Sequence, residues 1–267
     1  LIKNKIDVFA MYNISPPKKL LKNTKNLIKH NLLNNFFFEK KYDAFIHVAS
    51  ATPTSAVKRS EFLKINVIGY RNILKNAIKN GCKNFFLIST TSIYKNSKNG
   101  VLTERSEIQP QNYYAESKLK AEKLLIRYAK NYKLNYMILR LPAILEKNSR
   151  KNFISSLIDK VKKNEKITIQ HKNFKFNNMV HVDNVANIIL DTIKHKQFKY
   201  IYNLGCIRPL MIKNIFNIIS KKMKKNLKAN YIESKQKPFN IRIHPNLKKN
   251  YDIYSCRKAL SKLISSL

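Results

Sequence analysis

Residues Ser89 to Lys118 read S-T-T-S-I-Y-K-N-S-K-N-G-V-L-T-E-R-S-E-I-Q-P-Q-N-Y-Y-A-E-S-K, and this stretch decides the fold. Asn84 to Ser89 predicts a strand that delivers a cluster of hydroxyls. A polar loop follows, and Tyr114-Ala115-Glu116-Ser117-Lys118 opens a helix. Tyr114 and Lys118 are four residues apart, so on a helix they share one face. An ammonium beside a phenol favours the phenolate and lowers its pKa, which suits a tyrosine to acid/base work near neutrality. A hydroxyl from Thr90 or Thr91 completes a candidate proton relay. Taken alone, the pair equally describes a half-buried helix tyrosine beside a solvated lysine. Its neighbours must decide.

Outward from this stretch, strands alternate with helices. Ile6 to Tyr12 predicts a buried strand ended by the turn Asn13-Ile14-Ser15-Pro16-Pro17. A second short strand lies near Asn26 to Ile28, and Phe36 to Tyr42 predicts a short amphipathic turn or helix. Asp43 to Ala49 is a continuous strand stopped by Ser50-Ala51-Thr52-Pro53. Glu61 to Asn80 carries Phe62, Ile65, Ile68 or Gly69, Ile73, Ala77 and Ile78 at helical spacing, with Gly81 as the C-cap. Tyr114 to Asn131 is the next helix, and Tyr136 to Leu141 a strand stopped by Pro142. This rhythm predicts a parallel sheet covered on both faces. Beyond Pro142 it loosens. Helices are expected at Asn152 to Asn164, Asn184 to His195, Ile212 to Lys224 and from Ser255, with strands at Lys166 to Gln170, Tyr200 to Leu204 and Ala229 to Ile232. The expected organisation is α/β. A Rossmann-like, doubly wound dinucleotide-binding domain covers residues 1–145. A smaller α/β substrate-binding lobe covers residues 146–267, with some segments returning to the first domain.

Composition bounds the classes. With 267 residues, 44% of them hydrophobic, the chain can bury a sizeable core. No apolar run approaches the ~20 residues that span a bilayer, and no signal-peptide pattern is present. Cys82, Cys206 and Cys256, odd in number and without C-x-x-C, read as free thiols of a reducing compartment, so a cytoplasmic location is expected. The formal charge of +38 comes from 53 Lys+Arg against 15 Asp+Glu. Because the lysines are spread along the whole chain and arginine is scarce, they read as solvated faces, with nucleic-acid binding at most weak and nonspecific.

The order of these signals resembles the extended short-chain dehydrogenase/reductases, the NAD-dependent epimerase/dehydratase family that acts mainly on nucleotide sugars. Asp43 to Ala49 looks like the family's strand whose end passes close to the cofactor. Asn66-Val67-Ile68-Gly69 looks like its helix signature, and Phe85 to Thr90 through Ile93-Tyr94 like the strand bearing the catalytic Ser/Thr. Tyr114 to Lys118 looks like its Tyr-x-x-x-Lys. Arg140-Leu141-Pro142, His181-Val182-Asp183 and Tyr202-Asn203-Leu204-Gly205 match later landmarks. The resemblance implies that Tyr114 is the acid/base on the substrate oxygen and that Thr90, with Thr91 or Ser89 as alternatives, hydrogen-bonds that oxygen. Lys118 would lower the pKa of Tyr114 and hold the nicotinamide ribose. Ala49 and Asn66 would sit near the NAD or NADP, and Pro142 beside the nicotinamide. His47 reads as a packed core histidine. His181 and Asp183 make a poor metal pair, and no metal is expected.

The sequence also departs from that pattern. The family binds pyrophosphate with a Gly-rich loop at a helix N-terminus, yet no glycine precedes Gly69. Roughly 20–30 residues of a first strand, loop and helix are expected to be missing. Tyr12 and Asn13 stand where an acidic residue would bind the ribose 2′-OH, and Asn31 where an Asp would contact adenine, leaving NAD and NADP both open. Asn177 is nearest to the position of a phosphate-gripping Arg, which leaves Arg208 or Arg242 as substitutes; Ala143 replaces a sugar-contacting Asn. Thr91-Ser92 replace the Asp-Glu that dehydratases carry after the catalytic Thr, which argues against elimination. The expected function is an NAD(P)-dependent epimerase or reductase acting on a sugar, above all a nucleotide sugar, and homodimerisation through the helix bearing Tyr114 and Lys118 is possible. The alternatives are an inactive remnant of the family serving as scaffold or subunit, or a basic nucleic-acid-binding protein.

Overall fold

The strand Asn84–Thr90 shows how the sheet is specified. Its Phe85, Phe86 and Leu87 are all fully buried, so both faces are covered, as in parallel sheets wrapped by helices. The computed structural model describes residues 6–13, 26–34, 36–38, 40–53, 58–95, 100–147, 149, 152–196, 198, 200–233 and 238–267. In chain order it holds β1 (Ala10–Tyr12), β2 (Leu27–Lys29), β3 (Phe45–His47), α1 (Arg59–Leu63), α2 (Tyr70–Lys79), β4 (Asn84–Thr90) and β5 (Val101–Leu102). Then come α3 (Tyr113–Tyr132), β6 (Asn135–Leu141), β7 (Ala143–Leu145), α4 (Phe153–Lys162), β8 (Ile167–Gln170), β9 (Lys175–Phe176) and β10 (Met179–His181). α5 (Val182–His195), β11 (Tyr200–Asn203), β12 (Leu210–Met211), α6 (Ile212–Lys222), β13 (Ala229–Ile232), β14 (Asn240–Ile241), α7 (Pro245–Asn250) and α8 (Cys256–Ser265) complete it.

The main sheet runs in the order β11–β6–β4–β3, with β3 parallel to β4 and Phe45 opposite Phe85. β1 and β2 form a parallel pair of their own, with Ala10 opposite Leu27. The α/β architecture with a parallel sheet is the one the sequence predicts. Two compact units interleave along the chain: Leu1–Ser89, Pro110–Ile138 and Ile189–Tyr200 form one, and Thr90–Gln109, Leu139–Ile188 and Ile201–Leu267 the other.

In the first unit, Tyr70, Ile73, Leu74 and Ala77 recur at i, i+3, i+4 and i+7 along α2, and all are buried. The helix ends at Gly81, whose φ of 88° is one that glycine adopts without strain. The helix expected over Glu61 to Asn80 is interrupted. Between α1 and α2, Lys64–Gly69 forms a widened π-type turn, a device frequent at functional sites. A Cβ added to Gly69 would stand 2.9 Å from Leu32 Cβ, so here the turn approaches the residues after β2 as only glycine permits. Two expectations need correction. The strand predicted from Ile6 begins only at Ala10. The described residues between Phe36 and Tyr42 form no helix, because Phe38 meets Phe36, Tyr42 and Phe45 edge-on and Phe9 meets Tyr42 likewise. That cluster draws rings from several segments together, which a regular helix face would not do. The turn residues Ile14 to Pro17 lie outside the described residues.

The second unit has its own core. α4, α6 and α8 contribute Ile154, Leu157, Ile158, Val161, Ile215, Phe216, Ile219, Ala259, Leu260 and Leu263 around Ile167 and Ile169 of β8, whose side chains alternate buried and exposed. Two asparagines stitch loops onto it. Asn177 Nδ2 donates to the carbonyls of Cys206 (3.0 Å) and Ile241 (2.8 Å), and its Oδ1 accepts from Ile241 N (2.8 Å). Asn184 Nδ2 donates to Asp252 O and its Oδ1 accepts from Tyr254 N. Because Asn177 is buried, its replacement by alanine leaves three buried backbone groups without their partner. The expected loss of stability is at least about 2 kcal/mol, read as a lower urea midpoint.

Candidate active site

Helix α3 carries most of the site. Asn112 caps it in an extended conformation, its Oδ1 accepting from Ala115 N at 2.9 Å, and Lys133 ends it in the left-handed region. The buried face includes Ala115, Ala121, Leu124, Leu125 and Ala129, and among them three polar residues, Ser117, Lys118 and Glu122. A buried lysine is unusual unless paired.

Tyr114 is half-buried, its ring edge-on to Phe62 at 6.3 Å. One turn later Lys118 is 2% exposed, and its amine has no hydrogen-bond or ion-pair partner among the described residues. Burial lowers its pKa from 10.5 to about 8, while the Glu122 carboxylate acts in the opposite direction. One further turn on, the buried Glu122 accepts a hydrogen bond from the Ser89 hydroxyl.

Asn66, in the π-type turn, is 1% exposed and fully engaged. Its Oδ1 accepts from Ala51 N (2.7 Å) and Ser50 Oγ (3.1 Å); its Nδ2 donates to Ala51 O (3.1 Å) and Ser117 Oγ (2.8 Å). It therefore ties the loop after β3 to α3. Ala49, in that same loop, is exposed. His47 is buried and stacks on Tyr70, with ring centroids 4.2 Å apart. Desolvation, with Lys118 adding repulsion, lowers its pKa to about 3, so it is a neutral packing residue at neutral pH.

In the second unit, Thr90 spends its hydroxyl locally. Oγ1 accepts from Ser92 N and donates to Ser92 Oγ, both at 3.1 Å, capping the short turn Thr91–Ile93. Pro142 is half-buried between β6 and β7. Tyr94, Arg140 and Asn203 meet in one buried network: Arg140 Nη1 donates to Tyr94 Oη at 2.6 Å, and Tyr94 Oη donates to Asn203 Oδ1 at 2.8 Å. Asn177, the residue nearest the phosphate-gripping position, is consumed by backbone contacts, whereas Arg208 and Arg242 are exposed. His181 Nδ1 accepts from Asp183 N at 3.2 Å.

The first unit thus brings Tyr114, Lys118 and Asn66 onto or against one helix. Sequence reading missed Ser117 and Glu122 as members of this cluster. The available signal was spacing: Tyr114, Lys118 and Glu122 follow one another at i, i+4 and i+8.

The model of the NAD dependent epimerase/dehydratase family matches residues 1–205. The chain belongs to that family. It is 28% identical to the dTDP-D-glucose 4,6-dehydratase of Dictyostelium discoideum over 194 residues, 67% of this chain and 45% of that protein. A mouse dTDP-D-glucose 4,6-dehydratase is also 28% identical, over 63% of this chain and 48% of its own length. The chain spans about half the length of the curated relatives it matches first. Among solved structures, a UDP-glucose 4-epimerase from Thermotoga maritima, determined with UDP-glucose, superimposes with a TM-score of 0.80 at 18% identity. That match covers 99% of this chain and 92% of the other, and it shows the Rossmann-type fold. Among the described residues no helix is long and apolar enough to cross a membrane.

The depressed pKa of His47 has a measurable consequence. Between pH 6.5 and about 3 the unfolded chain binds a proton at this site that the folded chain does not, so its contribution to stability is lost as pH falls through that window. Urea midpoints followed over that range are expected to decline less steeply for His47→Gln than for the unaltered chain.

Proposed function

We propose that the chain is an NAD- or NADP-dependent enzyme that epimerises or reduces a sugar carried on a nucleotide, with Tyr114 as its acid/base. The observation that carries this reading is the buried Lys118 amine, unpartnered among the described residues one helical turn from a tyrosine. An amine in that position fits the ribose hydroxyls of a nicotinamide dinucleotide, because they accept the hydrogen bonds that the protein does not. Lys118 would hold the ribose, and the exposed Ala49, in the loop that Asn66 fixes, would lie along the same cofactor. When bound, the nicotinamide ring supplies the hydride chemistry.

Below pH 8 the amine is mostly an ammonium, and its field stabilises the phenolate of Tyr114. As phenolate, Tyr114 takes the proton of the sugar hydroxyl that becomes a carbonyl. As phenol, it returns that proton when the carbonyl is reduced. Epimerisation runs both steps in turn, and reduction runs the second alone. Dehydration is disfavoured because Thr91 and Ser92 follow Thr90, so no carboxyl group stands there to protonate a departing hydroxyl. The dehydratase names of the curated relatives describe those proteins. A second reading, a family member that keeps the fold without turnover, takes its support from Tyr12 and Asn13, which stand where the resemblance places an acidic residue for the cofactor ribose.

Titration with NAD(H) and NADP(H) separates the two. Binding is expected to raise the melting temperature and enhance nicotinamide fluorescence; if neither cofactor does either, the enzymatic reading fails. With a turned-over UDP- or dTDP-sugar, Tyr114→Phe is expected to lower kcat by at least about 10²-fold while leaving cofactor affinity nearly intact. Lys118→Ala should reduce both. Unchanged turnover in Tyr114→Phe would refute the assignment of the acid/base.

A further inference from the structure

Two carboxylates on α3 have opposite fates. Glu116 lies on the solvent side, where Arg59 donates to it through Nε (2.9 Å) and Nη2 (2.6 Å) and Lys120 approaches at 3.1 Å. That network holds its carboxyl at about 2. Glu122 lies on the buried side, 1% exposed, with the Ser89 hydroxyl donating to Oε1. In a chain with 53 basic and 15 acidic residues, a buried acid has surface cations to pair with, yet this one faces inward. An isolated buried carboxylate is costly unless its surroundings compensate it. The Ser89 hydroxyl donates to it, and the charge of Lys118 on the same helix is coupled to it.

We propose that Glu122, anchored by Ser89, is a positioning residue that keeps the buried Lys118 side chain in its charged form on the helix face that also carries Tyr114. The charged or titratable groups shown acting with Lys118 are few. Glu122 from α3 favours its ammonium, and His47 from β3 is neutral above about pH 3 and adds no opposing charge at neutrality. Tyr114 stands one turn earlier on α3. Burial by itself drives Lys118 toward the neutral amine, which could neither stabilise a phenolate nor present three donors to a ribose. Glu122 opposes that loss without touching substrate or cofactor. Ser89, the last residue of β4 before Thr90, fixes the carboxylate by a hydrogen bond between strand and helix, so the charge arrives at a set place. This role rests on the proposed function of Lys118, but its test does not.

The test follows the Lys118 side chain by its 13Cε and 15Nζ NMR signals, assigned by their loss in Lys118→Arg, with no cofactor present. In Glu122→Gln, which keeps the shape and an acceptor for Ser89, the Lys118 titration midpoint is expected to fall by about one pH unit. Glu122→Asp should return it toward the original value, which a purely space-filling role would not do. A midpoint unmoved in Glu122→Gln overturns the proposal. Should that variant fail to fold, Ser89→Ala/Glu122→Leu replaces both polar partners with apolar groups, a change that can be nearly neutral for stability; the same fall is expected, and an unmoved midpoint is again decisive against it. Turnover is read separately. The alkaline limb of kcat/KM should move with the midpoint. A midpoint that falls while the limb stays put leaves the Glu122 role standing and removes Lys118 from the reaction.

Discussion

A charged amine inside an apolar helix face is the constraint around which the first unit is arranged. Removing Lys118 from water disfavours its charge, and hydrophobic packing alone offers no compensation. The neighbours of that face are accordingly polar where a core helix would be apolar: Ser117 is held by Asn66, and Glu122 by Ser89. Asn66 in turn lies in the π-type turn and reaches both Ser117 and the loop at Ala51. Capping by Asn112 fixes where the helix starts, and hence the rotation at which Tyr114, Lys118 and Glu122 come round.

Asparagine does much of the tying in this chain. Asn66, Asn177 and Asn184 each present a side-chain amide that both donates to and accepts from the backbone of a separate segment. An amide imitates a strand partner, so it can close a loop onto a core where no ladder runs. The chain has only four glycines, which leaves few ways to bring backbones into direct contact. Buried asparagines tie separate segments together in both units.

How much was legible in the sequence followed the strength of local pattern. β4, α2, α3 and α6 could be read because long apolar runs or helical periodicity continue across them. β5, β9, β12 and β14, two residues each, carry no pattern long enough to see. The π-type turn was invisible because Ile65 and Ile68 keep near-helical spacing across it. That Tyr114 and Lys118 lie one turn apart on a helix could be read from their spacing. The buried place of Glu122 could not, because in a lysine-rich helix an acid four residues from a lysine reads as an exposed ion pair, and only burial distinguishes it from Glu116. Asn177 was read only as standing nearest to where the family often carries an Arg; its backbone tie could not be foreseen, because it depends on segments at Cys206 and Ile241 far along the chain.

The close approach at Gly69 bears on how the N-terminal strand pair is held. Among the described residues, β1 and β2 pair with each other and not with the ladder of β3. Their anchorage comes from side contacts: Gly69 against Leu32, Asn72 Nδ2 to Leu32 O, and Phe9 against Tyr42. A pair held by a helix surface rather than by a ladder has no independent register with the sheet. Its amides and those at the start of α2 are therefore expected to open to solvent together, as shared hydrogen-exchange rates would show.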